Sequence, residues 1–428
     1  MAFGSILIFS LLFLFIGIGI PIGIALGLGT AITMLLTTKI PLIMIAQKAF
    51  TGLDSFPLLA IPFFILAGAL MCRGGIARRL VNLAESVVGF IIGGLGMVTV
   101  MACMFFASIS GSGPATVSAI GSFMIPAMNE RGYDRNIAAA LTAASGTLGV
   151  IIPPSIAFVV YGVVTQSSIG DLFIAGIVPG ILIGLSLMFV CYVVAKKRKY
   201  PVSSERFSAA RFVKALKEAT GALMVPIIIL GGIYGGIFTP TEAAVVACVY
   251  AFVMGKYVYR ELEWKDVYQC LKETALINGA TEFMIGLSMA FSNYLSMAQI
   301  PAYIAKIIIG FSNSPIIIML VINILLLFVR CFMENLVAVI VLTPILLPIV
   351  KSIGINPIHF GVIETVNFAI GFFTPPYVIN LFVASAISGE SIERISKAIL
   401  PFLIVMIIDL FLITYLPVLS MGLVNIMK

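Results

Sequence analysis

Two short stretches hold the small polar and backbone-opening residues that suit ion chemistry: residues 110–114, reading SGSGP, and residues 146–155, reading GTLGVIIPPS. Each interrupts a long uncharged run. A helix opened by glycine and proline frees carbonyl oxygens, and neighbouring hydroxyls add more. An alkali cation held by such neutral oxygens needs no carboxylate buried in lipid. The half-helix that restarts after a break points unpaired N–H groups and a positive dipole end at an anion lying there. The candidate Na⁺ ligands of the first half are Ser110 and Ser112 with the carbonyls of Gly149, Ile152 and Pro154, and Ser112, Gly113 and Ser155 are candidates for touching substrate. The plainer reading of serine and glycine in an apolar helix is close packing against a neighbour. Duplication of the whole pattern is what favours function.

A shift of 222 residues lays Pro126 on Pro348, Gly132 on Gly354, Gly149 on Gly371, Pro153 on Pro375, Pro154 on Pro376 and Pro179 on Pro401. Glycine and proline fix backbone shape, so agreement at these positions is the trace a structural repeat leaves when side chains diverge. On the same diagonal the tip at residues 110–113 faces residues 332–335, and GVIIPPS faces GFFTPPY. The second half therefore offers Met333 and Glu334 at a tip with Gly371, Thr374 and Pro376 as a second cation set, and Asn335 toward substrate. Two or more Na⁺ sites are expected, one per half, and broken helices of this kind accompany inverted repeats with a midplane site. Arg330 and Glu334 stand four apart on one helix face, either touching ligand or neutralising each other. Glu242, Glu282 and Glu364 read as structural or interfacial, and Asn278, Asn323 and Asn380 as hydrogen-bonding across helices.

The elements that must position these residues are membrane helices. Of 428 residues 61% are hydrophobic and 10% charged, with a mean hydropathy of +1.18, far from the roughly 25% charged residues of a soluble domain. The fold class is an all-α polytopic membrane protein. At about 20 apolar residues per span the runs allow roughly ten to twelve segments. The first, 3–36, contains Pro21 and several glycines and is expected to be tilted or broken; with no charge before Lys39 it reads as a membrane helix, not a cleaved leader. Residues 57–72 end in a basic cluster at Arg73, Arg78 and Arg79. Residues 86–129 carry no charge, and after SGSGP only about 14 apolar residues remain, too few to cross, so part of this block must re-enter. The uncharged run 136–170 has the proline pair near its centre, where the helix must open. Residues 196–220, with KKRK and RFVKALKEA, read as a basic interfacial linker with an amphipathic arm helix, dividing a first repeat at 1–195 from a second at 221–428. A second polar belt, 256–272, with the sole tryptophan Trp264, reads as an interfacial loop.

Several classes are disfavoured. The net charge of +7 sits between hydrophobic runs, as positive-inside topology requires, and does not indicate nucleic acid. Six scattered cysteines form no CxxC pair, and the lone His359 cannot make a zinc site. No GxxxxGK[ST] motif is present for ATP. An intramembrane hydrolase with Ser112 as nucleophile lacks a base, because His359 lies by a predicted loop. No enzymatic activity is expected, and a pure scaffold has no need of duplicated breaks.

The stretches SGSGPATVSAIGSFMIPAM, GTLGVIIPPS, PFFILAGALM, GIFTPTEAA and GFFTPPYVIN together resemble the large membrane subunit of TRAP (tripartite ATP-independent periplasmic) transporters, over nearly the whole chain. Length and opening look similar to the sialic acid branch. The resemblance implies an elevator-type transporter of the ion transporter superfamily, in which a transport domain with two helical hairpins moves against a fixed scaffold. It implies Na⁺ symport of an organic anion of sialic acid or C4-dicarboxylate type. The implied partners are a small four-helix membrane subunit and a periplasmic substrate-binding protein, and the implied location is the bacterial inner membrane. By resemblance the hairpin tips fall on 110–113 and about 332–337, and the sodium loops on 146–154 and 371–376. Many members carry the small subunit fused in front; this chain opens directly with the large one, so a separate small subunit is expected in trans. The same-class rival is a stand-alone anion symporter without a binding protein.

Overall fold

Glycine and proline decide where the apolar runs stop being helix. The computed structural model describes every residue except 1, 202–206, 302, 304–313, 331–332, 375–377 and 428, and no side chain at 2, 3 or 5; the described residues form helices and no strand. The first run departs from a single span. Helices α1 (Ala2–Gly17) and α2 (Ile22–Thr37) are separated by a turn with Gly19 at φ +89° and Pro21. They lie antiparallel, with Gly4 facing Thr37 and Gly29 facing Ile8 and Leu12. Two 16-residue arms thus replace one tilted helix.

After α3 (Ile43–Leu53) comes a span made of the turn Phe56–Leu59 and α4 (Ala60–Arg73). Helix α5 (Ile76–Val88) then buries Ile76, Leu80 and Leu83 while Arg78 stays exposed. The uncharged block re-enters as expected. Helices α6 (Gly94–Ser110) and α7 (Gly113–Glu130) form a hairpin held by Thr99 Oγ1 donating to Met128 Sδ at 3.8 Å near its open end and by Ser110 Oγ and Thr116 Oγ1, 2.9 Å apart, at its tip. Next come α8 (Arg135–Gly146), α9 (Leu148–Ile151), a break at 152–155, and α10 (Ile156–Thr165).

The repeat is present element for element. Helices α15 (Pro315–Arg330), α16 (Asn335–Ser352), α17 (Pro357–Gly371) and α18 (Ile379–Ser388) follow the order of the first half, and α16 begins and ends 222 residues after α7. After α7, Gly132 (φ +81°) turns the chain with Tyr133 N–H bonded to Met128 O; after α16, Gly354 (φ +79°) does the same with Ile355 N–H and Val350 O. Only glycine adopts this left-handed cap freely. Asp134 then caps α8 and Asn356 caps α17. The halves exchange parts: α10 packs on α16, and α18 packs on α7 and α8.

Between the tips run α8–α10, α11 (Ile169–Arg198), α12 (Ala209–Tyr234), α13 (Pro240–Val253) and α14 (Trp264–Met297). At one end of the bundle Arg198 pairs with Asp134 at 2.9 Å, Arg211 with Glu85 at 3.6 Å, Arg79 with Glu261 at 2.7 Å, and Arg73 with Asp266 and Glu273 at 3.7 and 2.8 Å. At the other, Tyr234 Oη donates to Gly170 O at 2.8 Å and Tyr161 Oη to Pro357 O at 2.6 Å. Asp134 adjoins the open end of the first hairpin and Pro357 that of the second, so the hairpins open to opposite ends and the repeats are inverted. The basic stretch beyond Ser208 runs without interruption into the apolar part of α12. The second polar belt is only partly a loop, since Trp264 starts a 34-residue helix with a capping box from Glu263 and Asp266. Glu242 likewise caps α13 together with Thr239. The chain closes with α19 (Ile392–Ala398), α20 (Leu400–Tyr415) and α21 (Val418–Met427). Among the described residues six helices, or seven counting one bent pair, are long and apolar enough to cross, against the ten to twelve expected, because the breaks cut the other runs into hairpin arms and half-helices.

Asp134 illustrates how a cap is charged. Burial alone lifts its carboxyl, but the Asn136 and Ile137 N–H groups and Arg198 outweigh this and hold it below its ordinary value. Its stabilisation is therefore complete at neutral pH and is lost as pH falls through the depressed value. Asp134→Ala is expected to cost about 1 kcal/mol, read as a lower melting temperature at pH 7 and a smaller difference from wild type in acid.

Candidate functional site

Both tips and both breaks converge on one cavity of about 600 Å³, within the 300–1,000 Å³ usual for small-ligand sites. The first hairpin contributes Ser110, Ser112 and Gly113, the second Glu334 and Asn335, and Phe372 and Ile379 come from the second break. Gly68 of α4 and Thr274 of α14 form the facing wall, and Arg73 and Glu273 stand at the ion-paired end. Most of the wall is apolar, so its few hydroxyl, amide and charged groups determine what binds.

Beside the cavity, the first hairpin presses on the first broken helix with oxygens. Thr116 Oγ1 donates to Ser112 O at 2.8 Å, and Ser110 is 2% and Thr116 0% exposed. A methyl group placed on Gly149 would collide with Ser112 O and stand 2.6 Å from Thr116 Oγ1. One on Gly111 would stand 2.9 Å from Pro154 O, and Ile156 N–H donates to Gly111 O at 3.5 Å. Ser110, Ser112, Gly149 and Pro154 are thus brought together as the sequence suggests. Their donor set is entirely oxygen and uncharged, which fits an alkali cation. Helix α7 starts at this point, and its N-cap Ser112 makes no side-chain capping bond. Ser112, Gly113 and Ala115 line the cavity, so the start of the helix faces it with its positive dipole end.

Other candidates are placed differently. Ile152 packs its side chain on Gly180 of α11. Ser155 donates to Val150 O at 2.6 Å, caps α10 and does not line the cavity. Thr374 donates back to Ile370 O at 2.8 Å. Glu334 caps α16 through Leu336 and Val337 N–H at 2.8 and 3.3 Å while lining the cavity. Asn335 is 2% exposed, and its Oδ1 has no hydrogen-bond partner among the described residues. Met333 O accepts from Arg330, whose side chain covers Gly371. Pro376 lies outside the described residues.

Two features escaped the sequence reading. Thr116 completes the first oxygen cluster; its signal was a hydroxyl four residues after Ser112, on the same helix face. Asn380, read as helix-to-helix glue, ties the second break to the first half by donating to Ala143 O at 3.0 Å, with its amide 3.3–3.4 Å from a methyl placed on Gly113. His359 is held by Ser420 Oγ at 2.6 Å and Thr414 O at 3.3 Å, so both ring nitrogens are engaged outside the cavity wall.

The comparisons agree with this architecture. The solved Alcanivorax borkumensis YdaH transporter shares the fold, with a TM-score of 0.61 over 86% of each chain at 13% identity. The isethionate TRAP transporter permease protein DctMQ of Oleidesulfovibrio alaskensis is 49% identical over 91% of this chain, which spans 61% of that protein. The C4-dicarboxylate TRAP transporter large permease protein DctM of Pseudomonas aeruginosa is 44% identical over 92% of each chain, and the sialic acid large permease SiaM of Vibrio cholerae 39% over 90% of each. The profile of the tripartite ATP-independent periplasmic transporter DctM component matches residues 9–419, and the chain belongs to that family.

Proposed function

We propose that this chain is the large membrane subunit of a Na⁺-coupled secondary transporter that imports a small organic anion by an elevator movement. The observation that carries this reading is the convergence of two inverted hairpin tips and two helix breaks on one cavity, with a neutral oxygen cluster beside it. Ser110, Thr116, Ser112 O and Pro154 O hold the cation, while the start of α7 and Asn335 receive the anion. Relatives that bear isethionate, C4-dicarboxylate and sialic acid in their names support the organic-anion class. The same relatives favour delivery by a periplasmic binding protein and action beside a small membrane subunit. The two repeats, 1–195 and 221–428, supply one hairpin and one broken helix each, and residues 196–220 join them at the membrane surface. The end rich in arginine, with Arg73, Arg79 and Arg198, faces the cytoplasm of a bacterial inner membrane by the positive-inside rule, and the cavity reaches that end through Arg73 and Glu273.

Uptake of an anion panel by proteoliposomes carrying this chain with its small subunit and binding protein, with and without a Na⁺ gradient, tests the reading. Gradient-independent uptake counts against it. Thr116→Val removes one oxygen ligand together with its hydrogen bonds to Ser110 Oγ and Ser112 O, a typical bond being worth about 0.5–1.5 kcal/mol. It is expected to raise the half-saturating Na⁺ concentration about 2- to 10-fold, and Ser112→Ala to weaken Na⁺-dependent uptake in the same assay.

A further inference from the structure

The two ends of the cavity differ in chemistry. At the first tip it offers the start of α7, and along α4 and α14 it runs to a charged end. Gly68 faces that tip, since a methyl placed on it would stand 3.2 Å from Ser110 Cα, and Arg73 follows Gly68 on α4 by five residues, about 7.5 Å of helix. Among the described residues Arg73 is the one basic side chain on the cavity wall, and it is already paired: Nη2 with Glu273 Oε1 at 2.8 Å and Nη1 with Asp266 Oδ1 at 3.7 Å. Gln269 Nε2 also donates to Glu273 Oε1, at 2.9 Å. Both bonds fall on one oxygen, so Oε2 accepts from no described residue. Beside Glu273 on α14, Thr274 is 7% exposed and lines the cavity, and its hydroxyl has no hydrogen-bond partner among the described residues. A helical threonine ordinarily returns its hydroxyl to the carbonyl four residues back, as Thr281 of the same wall does to Ile277 O at 2.8 Å. A buried hydroxyl left unbonded is costly until a ligand or water takes it.

We propose that this end of the cavity is a subsite for the uncharged, hydroxyl-bearing tail of a monoanionic substrate, with Thr274 and Glu273 as its specificity-determining residues; this rests on the organic-anion reading of the cavity and narrows it to one substrate class. Within the cluster one guanidinium faces two carboxylates, so it carries one excess negative charge and repels a second acidic group on the substrate. A hydroxyl fits both free positions: it donates to Glu273 Oε2 and accepts from Thr274 Oγ1. Glu334, the remaining charged side chain on the wall, caps α16 under the charge of Arg330 and offers no cation to a second acidic group. The acidic head of the substrate stays with the start of α7, whose dipole suits it.

The test measures binding to the purified chain with its small subunit in lipid nanodiscs, without the binding protein, whose own selectivity would mask that of the cavity. The probes are 4-hydroxybutyrate, butyrate and succinate, which share a carboxylate head and a chain length and differ only at the tail, titrated by calorimetry at saturating Na⁺. Wild type is expected to bind 4-hydroxybutyrate about 2- to 10-fold tighter than butyrate, the worth of one hydrogen bond, and succinate more weakly than either. Thr274→Val, which keeps the side-chain shape, is expected to erase the advantage of 4-hydroxybutyrate and leave butyrate unchanged. Glu273→Gln is expected to tighten succinate about 5-fold, the effect of one unit charge about 4 Å away in water. Succinate bound by wild type as tightly as 4-hydroxybutyrate overturns the proposal, as does a folded Thr274→Val protein that still prefers 4-hydroxybutyrate or a folded Glu273→Gln protein with unchanged affinity for succinate. If Glu273→Gln does not fold, Thr274→Val decides alone. Wild type that binds none of the three probes sinks the organic-anion reading as well, an outcome distinct from the others.

Discussion

Gly149→Ala is expected to lower Na⁺ affinity about 5- to 150-fold, the equivalent of the 1–3 kcal/mol that overpacking costs. The added methyl collides with the Ser112 carbonyl and stands 2.6 Å from Thr116 Oγ1, well inside van der Waals contact. Ser112 O belongs to a hairpin tip fixed by Thr116 and by α8 behind it, so the collision is relieved only by lifting the tip from the broken helix. That movement separates the oxygens of one half-cage from the other. Gly231→Ala in α12, where a methyl meets nothing within 4 Å, is the matched control. A Na⁺ titration of uptake reads both variants, and an unchanged half-saturation in Gly149→Ala removes this cluster from the coupling mechanism.

Gly68 of α4 touches the first tip, and this contact makes an elevator testable. A methyl on Gly68 stands 3.6 Å from Ser110 Cβ, inside the 3.5–4.5 Å that a disulfide spans. Gly68→Cys with Ser110→Cys, in a background without the native cysteines, is expected to cross-link on oxidation and to lose nearly all uptake. Reductant is expected to restore uptake to the level of Ser110→Cys alone, which cancels the cost of the missing hydroxyl. If the tip stays beside α4 throughout the cycle, the oxidised protein transports as well as the reduced one and the sliding movement is refuted.

Backbone chemistry made the fold readable in the sequence. Gly132 and Gly354 are glycines because a left-handed turn needs them, and the caps Asp134 and Asn356 follow two residues later in each half. Such positions survive divergence of everything packed around them. Polar partners far apart in sequence were less readable. Nothing local to Arg330 says that its guanidinium reaches Phe368 O, 38 residues on. Its spacing to Glu334 suggested a pair; the Arg330 charge does act on that carboxylate, which also caps the start of α16. The opening run was legible as tilted or broken, and Gly19 and Pro21 do break it, but whether a break kinks a span or folds it back is decided by what the second arm packs on. Here α2 lies along α14, with Gly23 and Gly27 closing on Met284 and Leu287, a partner 261 and 260 residues away (284 − 23 and 287 − 27).

The exchange of parts between the halves bears on how the protein is made. Asn380 reaches Ala143 O across a separation of 237 residues, and α18 completes the packing of α7 and α8. At about 5–20 residues per second of synthesis, the first hairpin and α8 wait on the order of 10–50 s in the bilayer before the helix that packs on both has left the ribosome. During that interval their glycine-lined face is open to any neighbouring helix. A nascent chain arrested before residue 380 lacks that packing and is expected to be the form most open to proteolysis.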